Sequence, residues 1–159
     1  MKKVLFIAST GGHLSELMQL KELLNYYDYH IITEKTKSTL SLKEMYKGRV
    51  NYLVFGTKAH FFSYPFKLLF NSLKSVYYYH KIKPEFIVTT GTHTAVPIIL
   101  YAKIFHKKKT KVIFIETFAN SNSKTHSGDI VYKYTDLFIV QWKSMLKLYP
   151  KAVYGGWIY

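Results

Sequence analysis

Six short apolar runs set what this chain can fold into: residues 4–8, 29–33, 52–55, 86–90, 112–115 and 137–140. They are largely apolar without strict alternation, the pattern of strands buried on both sides in a parallel sheet. Helix-like stretches separate most of them, as the crossovers of a parallel sheet require. The expectation is an α/β fold: a parallel sheet with helices on both faces, in one domain spanning residues 1–159. In such sheets ligands sit beyond the carboxyl ends of the strands. Three polar loops fall there, at residues 9–13, 91–94 and 116–128.

The first loop, Ser9-Thr10-Gly11-Gly12-His13, leads into a stretch whose apolar spacing (Leu14, Leu17, Met18, Leu20, Leu23, Leu24) predicts a helix. Two glycines let the backbone turn sharply and approach a ligand closely. The first amides of the helix lack internal partners and carry the positive end of its dipole, so the loop suits an anion; it also suits a plain tight turn. His13 can donate to a phosphate or serve as general base near neutral pH. Glu16, one turn on, can orient His13, bind a sugar hydroxyl, or simply favour the helix start. Glu34 lies where a ribose-binding acid of a nicotinamide site would fall, but no third glycine follows His13, so that reading is set aside. The Walker pattern is absent as well.

The second loop, Gly91-Thr92-His93-Thr94, joins a strand to another helix, and its hydroxyls and glycine suit sugar or phosphate oxygens. Thr92 or Thr94 could equally be an N-cap. Glu116 stands at the mouth of the strand ending at residue 115, where a carboxylate suits a base or a sugar-hydroxyl ligand. The following polar residues, 120–128, read as a long loop that orders when ligand or partner binds. No metal-ligating spacing is present, and neither metal nor cofactor is expected.

The formal net charge of +14 argues for an anionic partner. With 15 Tyr and 11 Phe beside the lysines, the composition suits a membrane interface or stacking on single-stranded nucleic acid. No nucleic-acid motif accompanies it, so that module is the rival rather than the reading preferred. There are no cysteines, and no apolar stretch approaches a membrane span or a signal peptide. Residues 63–83 read as a helix with Phe66, Leu69, Phe70, Leu73, Val76, Tyr77 and His80 at helical spacing and Lys67, Lys74 and Lys81 along one edge. That stripe covers the sheet, or it faces a bilayer surface together with Phe61 and Phe62 while the lysines meet anionic headgroups. Lys107 and Lys108 could face the same leaflet. The expected location is cytoplasmic, peripheral on the inner face of the cell membrane.

Read together, residues 10–16, 91–97 and 114–119, then Asp136-Leu137-Phe138-Ile139-Val140-Gln141-Trp142 and Tyr149-Pro150-Lys151-Ala152, resemble the Alg-fourteen-like, or PssD-type, polysaccharide biosynthesis proteins. The resemblance covers essentially the whole chain. It implies a Rossmann-like layer similar to the amino-terminal half of a GT-B glycosyltransferase such as the MurG-like enzymes. It further implies a subunit that binds a polyprenyl-diphosphate sugar acceptor at the membrane, while a separate chain binds the UDP-sugar donor. Bacterial capsule and exopolysaccharide versions lack the membrane-spanning anchor of eukaryotic relatives. In this frame Gly11, Gly12 and His13 hold the acceptor diphosphate, Gly91 to Thr94 form the neighbouring wall, and His13, Glu116 or a group of the partner takes the proton. The chain departs from the pattern at Thr117, a serine in relatives, and at Asn120, where many carry arginine; a phosphate contact by that arginine does not transfer. Trp142 and the aromatic stretch Trp157-Ile158-Tyr159 either fold back on the sheet or dock on the partner chain, and docking is the expectation. A self-sufficient glycosyltransferase is the alternative within enzymes.

Overall fold

The structure, a computed structural model, describes residues 1–56 and 64–158, with Tyr64 through its backbone alone. Seven parallel strands form one sheet in the order β3-β2-β1-β4-β5-β6-β7. They are β1 (Lys3–Ile7), β2 (Asp28–Lys35), β3 (Val50–Val54), β4 (Phe86–Thr90), β5 (Lys111–Ile115), β6 (Leu137–Val140) and β7 (Val153–Tyr154). All six runs read from the sequence are strands. The two-residue β7 was not foreseen, being too short to show a pattern; it extends the sheet beside β6.

The helices are α1 (Gly12–Gln19), α2 (Leu42–Met45), α3 (Tyr64–Ile82), α4 (Val96–Phe105) and α5 (His126–Val131). Leu14 and Leu17 of α1 pack on Val4, Phe6, Ala8, Ile31 and Val50. On the other face Tyr78, Tyr79 and Ile82 of α3, with Ile98, Ile99 and Ala102 of α4, pack on Leu5, Ile7, Ile32 and Ile87. Successive strand residues thus enter different cores, which is why the runs are continuously apolar. Each fully buried side chain of this kind stabilises the fold by roughly 1.5–3 kcal/mol.

Three expectations need correction. The first helix stops at Gln19 and gives way to a 3-10 turn over Lys21–Asn25, leaving Leu23 exposed. The chain must turn there to set Asp28 beside Lys3. The stripe on α3 does not cover the sheet: Phe66 (75% exposed), Leu69 (61%), Phe70 and Leu73 (65%) face outward, as do Tyr77 and His80. The face that packs inward carries Ser75, Tyr78, Tyr79 and Ile82. The polar stretch 120–128 is not wholly loop, because its last residues start α5. Thr125 caps α5 by accepting the Gly128 N–H, and the Ser144 hydroxyl donates to the Ser121 carbonyl. Phe61, Phe62 and Tyr159 lie outside the described residues.

Two polar devices fix the far parts of the frame. The Asn71 amide of α3 donates to Val54 O (2.7 Å) and accepts from Val54 N (2.8 Å), holding the end of β3 as a neighbouring strand would. At the opposite end of the sheet the buried ammonium of Lys103 meets Asp136 at 2.5 Å, and Asp136 also accepts from Val112 N and Lys111. Partial burial pushes the Asp136 carboxyl up, but Lys103, the Val112 amide and Lys111 outweigh it and hold it below its ordinary value.

Candidate functional site

β1 and β4 are neighbours, yet α1 leaves toward one face of the sheet and α4 toward the other, so a crevice opens where they part. The two loops are tied across it: Ser9 N donates to Thr92 Oγ1 (3.1 Å), and Thr90 Oγ1 donates to His13 O (2.7 Å). Thr92 also pairs with Thr94 (3.0 Å). These threonines are buried in the cross-link, so Thr92 and Thr94 hold the loops rather than line the main cleft, and neither side chain caps a helix.

The cleft has a volume of about 980 Å³, at the upper end of what ligand sites use. Ser9, Thr10, His13, Glu34, Ser72, Gly91, His93, Thr125, His126 and Ser127 supply its polar lining. The sequence reading missed His126 and Ser127 because Gly128 hides the start of α5. A Cβ at Gly128 would lie 2.5 Å from Glu116 Oε2 and 2.7 Å from the Tyr149 hydroxyl, so only glycine fits. The capping threonine three residues earlier was the available signal.

Gly11, with φ of 82°, makes the turn that a side chain would strain. Gly12 starts α1, and a Cβ there would meet nothing within 4 Å. Among the described residues no side chain caps α1, which leaves the amides of its first turn without a side-chain acceptor. His13 Nδ1 lies 3.6 Å from Glu16 Oε2. The other Glu16 oxygen accepts from Thr117 Oγ1 (2.7 Å) and Phe118 N (3.1 Å), fastening α1 to the loop after β5. Burial pushes the Glu16 carboxyl up, but the nearby His13 imidazole and hydrogen bonds from Thr117 and the Phe118 amide outweigh it and leave it below its ordinary value. Glu16 therefore stays an anion beside His13, with Oε1 taken up by Thr117 and Phe118 and Oε2 without a hydrogen-bond partner among the described residues.

Glu116 is not among the residues that line the cleft. It is 1% exposed, and it accepts from Thr125 Oγ1 (2.9 and 3.0 Å), the Tyr149 hydroxyl (3.1 Å) and Thr117 N (3.1 Å). Burial raises its pKa against those donors. The carboxylate staples β5, α5 and Tyr149 together and has no path to a substrate, which corrects the expectation of a base or sugar ligand there. Glu34, unlike Glu116, does line the cleft, while its carboxyl accepts from Thr10 N (3.2 Å) and Gly56 N (3.4 Å).

Past the carboxyl ends of β5 and β6, Phe118 packs between Trp142 (ring centroids 4.7 Å) and Trp157 (5.0 Å), and the Trp142 indole donates to Phe118 O. Trp157 is 75% exposed. Ile158 differs: its amide donates to Gln141 Oε1 and its side chain packs on the core, so it folds back on its own sheet rather than standing free.

A parallel Rossmann-like sheet with its cleft at the β1–β4 crevice has close structural counterparts. MurG of Acinetobacter baumannii superposes with a TM-score of 0.69 at 16% identity, covering 91% of this chain and 43% of that one. A UDP-N-acetylglucosamine 2-epimerase superposes at 0.68 with 14% identity, covering 94% and 44%. The chain thus spans less than half the length of each, and the likeness establishes the GT-B type of fold. In sequence, the mouse UDP-N-acetylglucosamine transferase subunit ALG14 is 28% identical over 97% of this chain and 82% of its own length. The human protein of the same name is 27% identical over 96% and 81%. The class is that of a glycosyltransferase subunit. Residues 4–158 match the model of the family described as oligosaccharide biosynthesis protein Alg14 like, and the chain belongs to that family.

Proposed function

We propose that this chain is the acceptor-binding subunit of a two-chain inverting glycosyltransferase. A separate donor-binding chain brings a UDP-sugar, and the curated relatives' name points to UDP-N-acetylglucosamine. The acceptor is a polyprenyl-diphosphate-linked sugar, used in capsule or exopolysaccharide assembly. The observation that carries this is the His13–Glu16 pair on the first turn of an uncapped helix, opening on the crevice between β1 and β4. The α1 amides take the diphosphate, which suits the positive end of the helix dipole. His13, oriented by Glu16, takes the proton from the attacking hydroxyl.

The outward face of α3 supports a peripheral place on the inner face of the membrane. Its apolar row is edged by Lys67, Lys74 and Lys81, while Lys107 and Lys108 stand exposed beyond α4. No helix among the described residues is long and apolar enough to cross a membrane. The exposed rings of Trp142 and Trp157 are the docking place for the donor-binding chain.

Transfer by the reconstituted pair, measured with variants of this chain, tests the assignment of the base. His13→Ala is expected to lower turnover by about 10²–10⁴-fold with the fold unchanged. Glu116→Gln should stay within about tenfold of wild type while losing about 1–3 kcal/mol of stability. The reverse ranking would return the proton to Glu116.

A further inference from the structure

The cleft changes character from floor to wall. Ser9, Thr10, His13, Gly91 and Ser127, with Glu34 held by the Thr10 and Gly56 amides, make its floor polar, whereas Leu68 of α3, Val96, Pro97 and Leu100 of α4, and Ile130 of α5 make its walls apolar apart from Ser72. These wall side chains are only partly buried, so they are not simply core residues. A ligand of sugar and phosphate alone gains little from them beyond its few C–H faces, and hydroxyls pressed against Leu100 and Ile130 would lose their water without finding partners. The groove is bounded by the same helix whose outer side carries Phe66, Leu69 and Phe70. Floor, groove and outer apolar face therefore follow one another in the order that an anionic head, its attached chain and a bilayer would.

We infer that the groove between α3, α4 and α5 holds the first isoprenoid units of the acceptor, an inference that rests on the diphosphate being seated at the α1 start. Of the ligands in the proposed reaction only the acceptor joins an anionic head to an apolar chain, so only it matches both the floor and the walls. Leu100 and Ile130 are then specificity-determining: they make the subunit favour a diphosphate that carries a chain over a soluble one. Burying several methylenes of that chain multiplies the affinity, each roughly fourfold when fully covered.

Calorimetric binding of farnesyl diphosphate and of inorganic diphosphate to the full chain, below the micelle threshold, tests this. Farnesyl diphosphate is expected to bind at least about 30-fold more tightly. Leu100→Asp, and the uncharged, milder Ile130→Thr, should erode that preference, lowering farnesyl diphosphate affinity by a larger factor than inorganic diphosphate affinity. Leu69→Asp, on the outer face of α3, should alter neither. Equal affinities in the wild type, or a preference lost in Leu69→Asp and kept in Leu100→Asp, would overturn the groove and leave the head site standing. If His13→Ala and a bulky Gly12→Val leave farnesyl diphosphate affinity intact while Leu100→Asp lowers it, the groove holds and the head site fails. A chain that binds neither probe overturns both.

Discussion

Gly12 and Gly91 look alike in the sequence and act differently. Gly91 has φ of 58°, and a Cβ there would lie 3.0 Å from Thr117 N. Gly91→Ala is expected to cost about 1–2 kcal/mol, because it adds left-handed strain to a clash with backbone. Gly12→Ala meets open space, so its stability should stay within about 0.5 kcal/mol of wild type while diphosphate binding weakens. Urea denaturation beside calorimetry separates the two effects, and equal destabilisation would contradict the geometry. The pattern Gly-Gly-His at a strand end pointed to the loop that borders the cleft. It did not reveal that Thr92 and Thr94 turn inward, nor that Glu116 is sealed by Tyr149, 33 residues later. Such closures depend on tertiary contacts that local spacing does not encode.

The helix α3 shows what periodicity can and cannot convey. The 3.6-residue rhythm of Phe66, Leu69, Phe70, Leu73 and Tyr77 foretold the helix, but an apolar stripe does not say whether sheet or bilayer faces it. The inward face was hidden because it relies on tyrosines and Ser75, which read as neutral. Phe70→Asp combined with Leu73→Asp should cut sedimentation with anionic vesicles at least about tenfold and leave thermal stability within about 0.5 kcal/mol. Unchanged sedimentation would exclude this face as the membrane contact. The end of α4 gives a prediction of the opposite kind. Asp136→Asn leaves the buried Lys103 ammonium without its anion and should cost about 2–3 kcal/mol, the partial exposure of Asp136 keeping it below the fully buried case. The folded carboxyl is lowered, so its contribution is present above the ordinary aspartate value of 3.8 and lost as pH falls through the lower folded value. Denaturation midpoints taken from pH 7 downward should show that loss in the wild type and not in Asp136→Asn.

Taken whole, the parallel sheet was the most legible property, because six buried apolar runs separated by crossovers leave few arrangements other than a parallel, doubly covered sheet, whereas the strand order was not read from the sequence. The cleft followed from it, since the loops at the carboxyl ends of β1 and β4 meet there whatever their side chains do. Its apolar walls were not legible: Leu68, Leu100 and Ile130 lie on three helices and look in the sequence like any core residue. The account makes this chain one half of an enzyme, presenting a lipid-linked acceptor to a sugar carried by another polypeptide. The measurement that bears on this most directly is sugar transfer to a polyprenyl-diphosphate acceptor in anionic vesicles, by the purified chain alone and after addition of a donor-binding subunit. Turnover should be near background alone and appear with the second chain, and Trp142→Ala with Trp157→Ala should raise the concentration of that chain needed for turnover. Full turnover by this chain without a companion would contradict the account.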